Sequence, residues 1–301
     1  MNLDVMKTFC DLVDSGSFSK AAETNFVTQS AVSQQLAKLE RQLGTQLIQR
    51  GGGMIAPTEA GKAFYRGARD ILRRYEAVVG EVRSAADRIR GVVRVGTIYS
   101  VGMYSLDPYV KRFLAEQPEV ALRIEYMHAH AIYAAVAGGE MALGIVAYPE
   151  RQRGIEIIPF GSEQLVAVFG PGHRLSLKRT ITDADLEGEP FVAFEPDIPT
   201  RRQIDRRLKA EKVAVRVSME FDNNETLKRA VEIGAGVTIL PLRVIHREVE
   251  AGDLQYARFQ NSARWMRPLG ILRQKGRPPT PAERIFLGML QEPSRPAEAD
   301  S

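Results

Sequence analysis

An α/β multidomain architecture is predicted for this chain: a winged helix-turn-helix, one long helix, and a larger region where strands and helices alternate. Three observations carry the prediction. Apolar residues recur at helical spacing between Leu3 and Leu43, and a glycine-tipped hairpin pattern follows. A heptad-spaced apolar seam runs from Phe64 to Ile89. Beyond Gly91, short β-branched runs alternate with amphipathic segments.

The elements follow in order. Leu3, Met6, Phe9, Leu12 and Val13 define a first helix over 2–14, which Asp14-Ser15-Gly16-Ser17 stops. Ser17 caps a short helix from Phe18 to Glu23, whose Ala21 and Ala22 permit close packing. Thr28 caps a third helix, Gln29 to Leu43, and Gly44 ends it. Gln46 to Arg50 reads as a strand, Gly51-Gly52-Gly53 as a flexible tip, and Met54 to Pro57 as the return. Three helices followed by a hairpin make a winged helix.

The third helix sorts its side chains. At 100° per residue, Val32, Leu36, Leu39 and Leu43 share one stripe. Ser30, Gln34, Ala37, Lys38 and Arg41 lie opposite, with Gln29 and Ser33 on the flank. That face holds hydroxyl, amide and cationic groups and no carboxylate. Small hydrogen-bonding side chains at a helix start suit base edges in the major groove. Lys38 and Arg41 suit phosphates, and Arg50 in the wing suits phosphate or the minor groove. A solvated amphipathic helix would show the same polar face, and only the wing that follows favours DNA. Residues 1–58 hold five basic and five acidic side chains, so attraction to DNA has to come from sorting charge rather than from net charge.

Specific motifs are embedded in these elements: Phe18-Ser19-Lys20-Ala21-Ala22, then Val27-Thr28-Gln29-Ser30-Ala31-Val32-Ser33-Gln34-Gln35-Leu36, then Leu39-Glu40-Arg41-Gln42-Leu43-Gly44, Arg50, and Pro57-Thr58-Glu59-Ala60-Gly61. In this combination the chain resembles LysR-type transcriptional regulators. Ile48 stands where that family usually has Phe, Pro57 where it usually has Leu, and the wing tip lacks an extra basic residue. The resemblance implies duplex DNA at a pseudo-palindromic operator as partner, with Thr28, Gln29, Ser30, Ser33, Gln34, Lys38, Arg41, Arg50 and Thr58 at the interface.

Thr58 caps the next helix, with Glu59 in its first turn. Phe64, Ala68, Ile71, Tyr75, Val78, Val82, Ala85 and Ile89 then alternate spacings of four and three over a predicted linker helix, 59–90. Such a seam needs a partner: its own domain or a second copy. The resemblance favours the second copy, with Phe64, Ile71, Tyr75, Val78 and Val82 as dimerisation residues. It implies a homodimer or homotetramer, and RNA polymerase as a further partner of an activator.

From 91 onward the expected order is a strand from Val92 to Thr97, a helix from Met103 to Glu116, a strand from Val120 to Met127, a helix from Ala129 to Ala137 and a strand from Ala142 to Ala147, giving a parallel sheet. A second unit opens at Leu165–Phe169. It continues through a strand at 191–194, a helix at 200–209, a strand at 213–220, a helix at 225–233 and a buried strand after Gly236. A strand at 269–274 and a helix at 281–290 return to the first unit, and residues 293–301 read as a disordered tail. The resemblance implies that 91–292 forms an effector domain similar to periplasmic binding proteins. Lobe I would be 91–161 with 265–292, lobe II 162–264, and the crossovers near Gly161-Ser162 and Arg264-Trp265.

Ligands of α/β sheets bind beyond strand C-termini, where helix N-termini converge. That places Ser100, Val101 and Gly102 in one lobe, and Thr200 and Arg201 in the other, at the cleft. Tyr148 and Val237 are candidate walls. Free N–H groups and Arg201 favour an anionic metabolite, whereas Asp197 and Glu195 oppose one. A cap role for Thr200 and a solvated Arg201 fit the sequence equally well.

Enzyme chemistry finds no support. His128, His130, His173 and His246 show no metal-ligand spacing, and Gly234-Ala235-Gly236 precedes a strand rather than following one. Neither cofactor nor metal is expected. The single cysteine, Cys10, forms no internal disulfide and reads as a small buried apolar residue. No apolar run approaches a membrane span, and Asp4 and Lys7 interrupt any leader-like pattern, so a cytoplasmic location without membrane partners is expected. The readings to separate are a ligand-responsive regulator, an architectural DNA binder without a ligand, and an enzyme on a solute-binding fold.

Overall fold

The structure, a computed structural model, describes residues 2–51, 54–84 and 89–292. It forms two compact units, Met1–Ile89 and Arg90–Ser301.

In the first unit, α1 (Leu3–Ser15) starts at Asn2, whose side chain accepts from the Val5 N–H at 3.0 Å. Ser17 caps α2 (Phe18–Thr24) and Thr28 caps α3 (Gln29–Leu43), which Gly44 closes at φ +66. These polar side chains satisfy N–H groups that a helix start leaves without partners. The wing follows as antiparallel β1 (Ile48–Gly51) and β2 (Met54–Pro57). Its glycine tip at 52–53 lies outside the described residues. Phe9, Leu12, Ala21, Val32, Leu36 and Leu39 pack as one core with Leu47 and Ile48. Glu40 ties α3 to the wing by accepting from the Leu47 N–H at 2.8 Å and the Ile48 N–H at 3.3 Å. Leu43, expected in the buried stripe, sits instead on the helix's last turn and is 42% exposed.

The long helix α4 spans Glu59–Ser84. Its seam divides. Phe64 meets Phe9 edge-on, with ring centroids 5.1 Å apart, and Ala68 is buried against Met6 and Cys10. Ile71, Tyr75 and Val78 are half exposed. Phe64, named as a dimerisation residue, packs partly buried within its own unit, because α1 already covers that end of the seam. The Val82 side chain and Ala85 lie outside what the structure describes. Ile89 belongs to no helix, which corrects the predicted run to 90, since the chain is extending toward the strand that opens at Gly91 (φ +140).

The second unit begins with β3 (Gly91–Thr97), α5 (Tyr99–Tyr104), α6 (Asp107–Glu116), β4 (Val120–Tyr126), α7 (Ala129–Gly138) and β5 (Leu143–Ala147). The single helix predicted over 103–116 is two, because Pro108 suits a first turn and not a helix interior. The strand β6 (Ile155–Phe169) then passes from one lobe to the other. Lobe II adds β7 (Thr180–Ile181), β8 (Pro190–Phe194), α8 (Pro199–Ala210), β9 (Arg216–Phe221), α9 (Asn224–Glu232), β10 (Thr238–Pro241), α10 (His246–Ala251) and β11 (Gln255–Phe259). The chain returns along β12 (Met266–Gln274) to α11 (Pro281–Gln291).

The main sheet has the order β4-β3-β5-β12-β6-β11-β7, with β10 also on β6. It is mixed rather than parallel: β3 pairs parallel with β4 and β5, while β12 runs antiparallel to β5 and β6. The β6–β12 ladder is the crossing between lobes. It pairs Ile155 with Gln274 at one end and Gln164 with Met266 at the other, with a register shift where Gly161 adopts φ +122. Strands β8 and β9 form a separate parallel pair, bridged to the β10 side through Phe191 and Val237. The strand expected from Val213 starts at Arg216, because Lys212 turns the chain at φ +57.

Gly61 lies where α4 crosses the wing root. A β-carbon there would sit 1.9 Å from the Leu47 carbonyl oxygen, which already accepts the Thr58 N–H. Gly61→Ala should therefore destabilise the first unit by about 1–3 kcal/mol, the usual overpacking cost, despite alanine's better helix propensity. Thermal unfolding followed by circular dichroism checks this, and an unchanged midpoint refutes it.

Candidate nucleic-acid interface and effector cavity

The start of α3 presents the expected polar face. Thr28, Gln29, Ser30, Gln34, Lys38 and Arg41 are exposed, whereas Ser33 is half buried. Thr28 caps the helix through Ala31 and shares a hydrogen bond with Ser30 at 2.9 Å, which fixes both hydroxyls. The Arg41 Nε–H donates back to the Ala37 carbonyl at 3.3 Å. Thr58 departs from the expected interface. Its hydroxyl donates to the Gln46 carbonyl at 2.8 Å and accepts from the Gly61 N–H at 2.9 Å, so its proton is spent on holding the wing root to α4. The Arg50 side chain lies outside what the structure describes.

In the second unit a cavity of about 190 Å³ opens between the lobes. Four helices bring their first turns to it: Tyr99 and Ser100 of α5, Ala129 and His130 of α7, Pro199 and Thr200 of α8, and Asn224 of α9. Of these, α5, α7 and α8 have no side-chain cap. Met127, Tyr133 and Phe194 supply apolar wall, and Glu150, Asp197, Asp222 and Arg202 supply charge. Of the predicted effector residues, Ser100, Tyr148 and Thr200 line this space. Burial pushes the Tyr148 phenol up, against the opposing pull of Arg207 and Arg267.

Four predicted residues lie elsewhere. Val101, on the inner face of α5, is fully buried. Gly102 is a packing glycine, since a β-carbon there would lie 2.6 Å from both Thr97 and Tyr126. Val237 belongs to the lobe II core with Phe191 and Ile204. Arg201 turns out of the cavity, where its Nε–H meets Asp205 at 2.8 Å and its Nη1 meets Glu220 at 2.7 Å and the Phe194 carbonyl. A guanidinium so engaged is no free clamp; Arg202 and Arg267 line the cavity.

Sequence reasoning missed Arg267. It lies on β12, directly across the ladder from Glu163 on β6, and lines the cavity at 1% exposure. Its Nη2 donates to Ser100 Oγ at 2.7 Å and contacts Glu163 Oε2 at 2.8 Å, while Glu163 Oε1 accepts from Ser105 at 2.6 Å. Both ends of α5 are thereby tied to the crossing strands. Because Ser100 Oγ is the acceptor in that bond, its own proton stays available to the cavity. An Arg in a strand reads in sequence as a solvent-facing residue, so only the pairing register reveals its position.

Residues 3–62 match the family model described as bacterial regulatory helix-turn-helix protein, lysR family, and residues 86–294 match the LysR substrate binding domain. The chain belongs to the LysR family of transcriptional regulators. Similar proteins include a probable RuBisCO transcriptional regulator of Cyanophora paradoxa, 27% identical over 95% of this chain and 90% of its own length. The HTH-type transcriptional regulator CysL of Bacillus subtilis is 24% identical over 97% of each chain. Among solved structures, a full-length OxyR variant from Pseudomonas aeruginosa shares the fold with a TM-score of 0.77 at 20% identity, covering 98% of this chain and 96% of that one. Full-length CbnR complexed with its target DNA shares it with a TM-score of 0.66 at 22% identity, covering 96% and 99%.

The single cysteine of this LysR regulator, Cys10, is buried in the first unit, and burial pushes its thiol up to about 12. A thiol so protonated is a poor nucleophile. Among the described residues no group of three or more His, Cys, Asp or Glu side chains could hold a metal, and no helix is long and apolar enough to cross a membrane.

Removing Glu163 leaves the buried Arg267 guanidinium without its carboxylate partner. Glu163→Leu should cost about 3–5 kcal/mol, and adding Arg267→Met should recover much of that loss. Urea unfolding monitored by tryptophan fluorescence reports on the second unit alone, because Trp265 is the only tryptophan. Wild-type behaviour of the single variant would refute the prediction.

Proposed function

We propose that this regulator reads operator DNA as a homodimer, or as a homotetramer built from dimers, and that a small effector between its lobes sets its activity. One observation supports this reading most strongly: a cavity lined by the uncapped first turns of three helices lies between lobes joined by the β6–β12 crossing. Uncapped turns offer N–H groups to an acceptor, and helix dipoles favour oxygen-rich or anionic groups there. Ser100, Thr200, Arg202 and Tyr148 are the polar groups proposed to orient the effector, with Met127, Tyr133 and Phe194 against its apolar part. Arg267 is neutralised by Glu163, and Glu150, Asp197 and Asp222 add negative charge, so the cavity suits a small polar ligand better than a multiply charged anion. The cavity volume of about 190 Å³ suits a small molecule.

Dimerisation is assigned to the free part of the α4 seam, Ile71, Tyr75 and Val78, with Val82 in the same register. Two copies place two winged units on a pseudo-palindromic site. Gln29, Ser30, Ser33 and Gln34 are assigned to base edges, and Lys38, Arg41 and Arg50 to phosphates. A cytoplasmic location, and contact with RNA polymerase where the protein activates, complete the reading.

Three measurements test it. Ser33→Ala with Gln34→Ala should abolish operator preference in footprinting while leaving the melting temperature unchanged; retained discrimination refutes the base-reading assignment. Tyr75→Glu should shift the protein toward monomer in sedimentation, whereas Phe64→Glu should unfold the first unit. A metabolite panel should contain a compound that raises the melting temperature and alters the footprint, and Thr200→Val should lose that response. A panel in which nothing moves either readout favours the ligand-free architectural reading.

A further inference from the structure

Phe26 is 97% exposed and adopts φ +54, in the left-handed region. The φ is that of the cap which ends α2, a position that favours Gly or Asn, so the exposed aromatic side chain is what the fold does not call for. For an L-residue other than Gly, Asn or Asp that conformation costs about 1–2 kcal/mol. The turn itself is held by backbone bonds: the Phe26 N–H donates to the Glu23 carbonyl at 3.1 Å and the Val27 N–H to the Ala22 carbonyl at 3.0 Å. Asn25 beside it is fixed by its Nδ2 donating to Asp11 at 2.7 Å and to the Ala21 carbonyl at 2.9 Å. An Asn or Gly at 26 would suit this turn better and would expose no ring. Lone exposed apolar residues need no explanation, but one that also carries a backbone penalty does.

Its place in the fold indicates what the ring meets. Phe26 closes the turn of the helix-turn-helix, two residues before the Thr28 cap and next to exposed Gln29 and Ser30. A recognition helix enters the major groove with its N-terminal residues foremost, so an exposed ring two residues ahead of its cap is within reach of the same groove. From Thr24 to Leu39 there is no carboxylate to repel phosphate. Among base edges in that groove, the one apolar feature is the thymine 5-methyl group, and Phe is a side chain that recognises it by contact.

We propose that Phe26 reads a thymine in each half-site through its 5-methyl group. The proposal rests on the DNA-binding reading above and adds a specificity-determining residue to it.

The test uses the full-length protein and a duplex selected from a randomised pool by the wild type. Thymines of the selected site are replaced one at a time by deoxyuridine, which deletes only the methyl. At one position per half-site the wild type should lose about fourfold in affinity, the size expected for withdrawing one buried methyl. Phe26→Asn should lose as much on the thymine duplex and nothing more on the deoxyuridine duplex, with a melting temperature at or above wild type. Phe26→Gly should behave the same way, which guards against an effect peculiar to asparagine. Three results overturn the proposal: a wild type indifferent to every methyl, a Phe26→Asn variant that binds like wild type, or a variant equally weakened on both duplexes, which would mean a sugar contact. A wild type that selects no preferred sequence would instead defeat the DNA reading itself.

Discussion

The antiparallel ladder between β6 and β12 is the constraint on which the second unit depends. Both lobes hang from these two strands, and the Glu163–Arg267 pair sits face to face within them. A buried ion pair is weak evidence for stability, because desolvation offsets much of the attraction. It is better understood as a device for register. A one-residue slip would separate the charges and leave both without partners, so the pairing of the two crossing strands is enforced. The same pair carries α5, since Arg267 holds Ser100 at its start and Glu163 holds Ser105 at its end.

Other contacts span the lobes around this axis. Tyr104 of α5 donates to Glu225 of α9, and the Lys228 ammonium donates to the Tyr104 oxygen at 3.1 Å and contacts Glu248 at 2.6 Å. Burial alone would lower Lys228, but its bonds to Glu248, Tyr104 and Glu225 outweigh that and hold it protonated. Arg207 of α8 lies 5.2 Å from the Trp265 ring and 6.0 Å from the Tyr148 ring, and donates to the Met266 carbonyl at 3.1 Å. Tyr148 also lines the cavity. A ligand of the proposed kind would therefore touch Tyr148, a side chain that itself takes part in a link between the lobes. That is the arrangement required for binding to bias one lobe geometry over another, because a ligand shifts an equilibrium only through contacts that differ between its states.

The two units were legible in the sequence to different depths. In the winged unit the first three helix starts each carry a polar cap and the helical core residues recur at helical spacing, so local chemistry fixes those elements and their order. Even there the sense of the Thr58 hydroxyl was hidden, because its partner Gln46 is 12 residues away. In the α/β unit most strands were visible as β-branched runs, but β7, β11 and the first part of β6 were not, and the β6–β12 pairing that joins the lobes is long-range. Arg201 was a candidate clamp of the cleft and Arg267 was not singled out; both are buried, with Glu220 and Asp205 holding Arg201 away from the cavity and Glu163 holding Arg267 beside it. Which arginine a carboxylate captures depends on strand register rather than on local pattern.

The seam of α4 shows the same limit in one helix. Read as a heptad it is uniform, yet α1 uses its first part and leaves the next part free. Phe64 and Ala68 are held by Phe9, Met6 and Cys10, so the start of α4 is rigidly part of the winged unit. Arg69 and Tyr65 reinforce this through Asp14, at 3.7 Å and 2.5 Å. Any partner helix can therefore meet α4 only from Ile71 onward. In the proposed dimer, a helix anchored at its base to the winged unit would carry the angle of the partner contact into the placement of α3. The exposed part of the seam would then set the separation and tilt of two recognition helices, and with them the half-site spacing that can be bound.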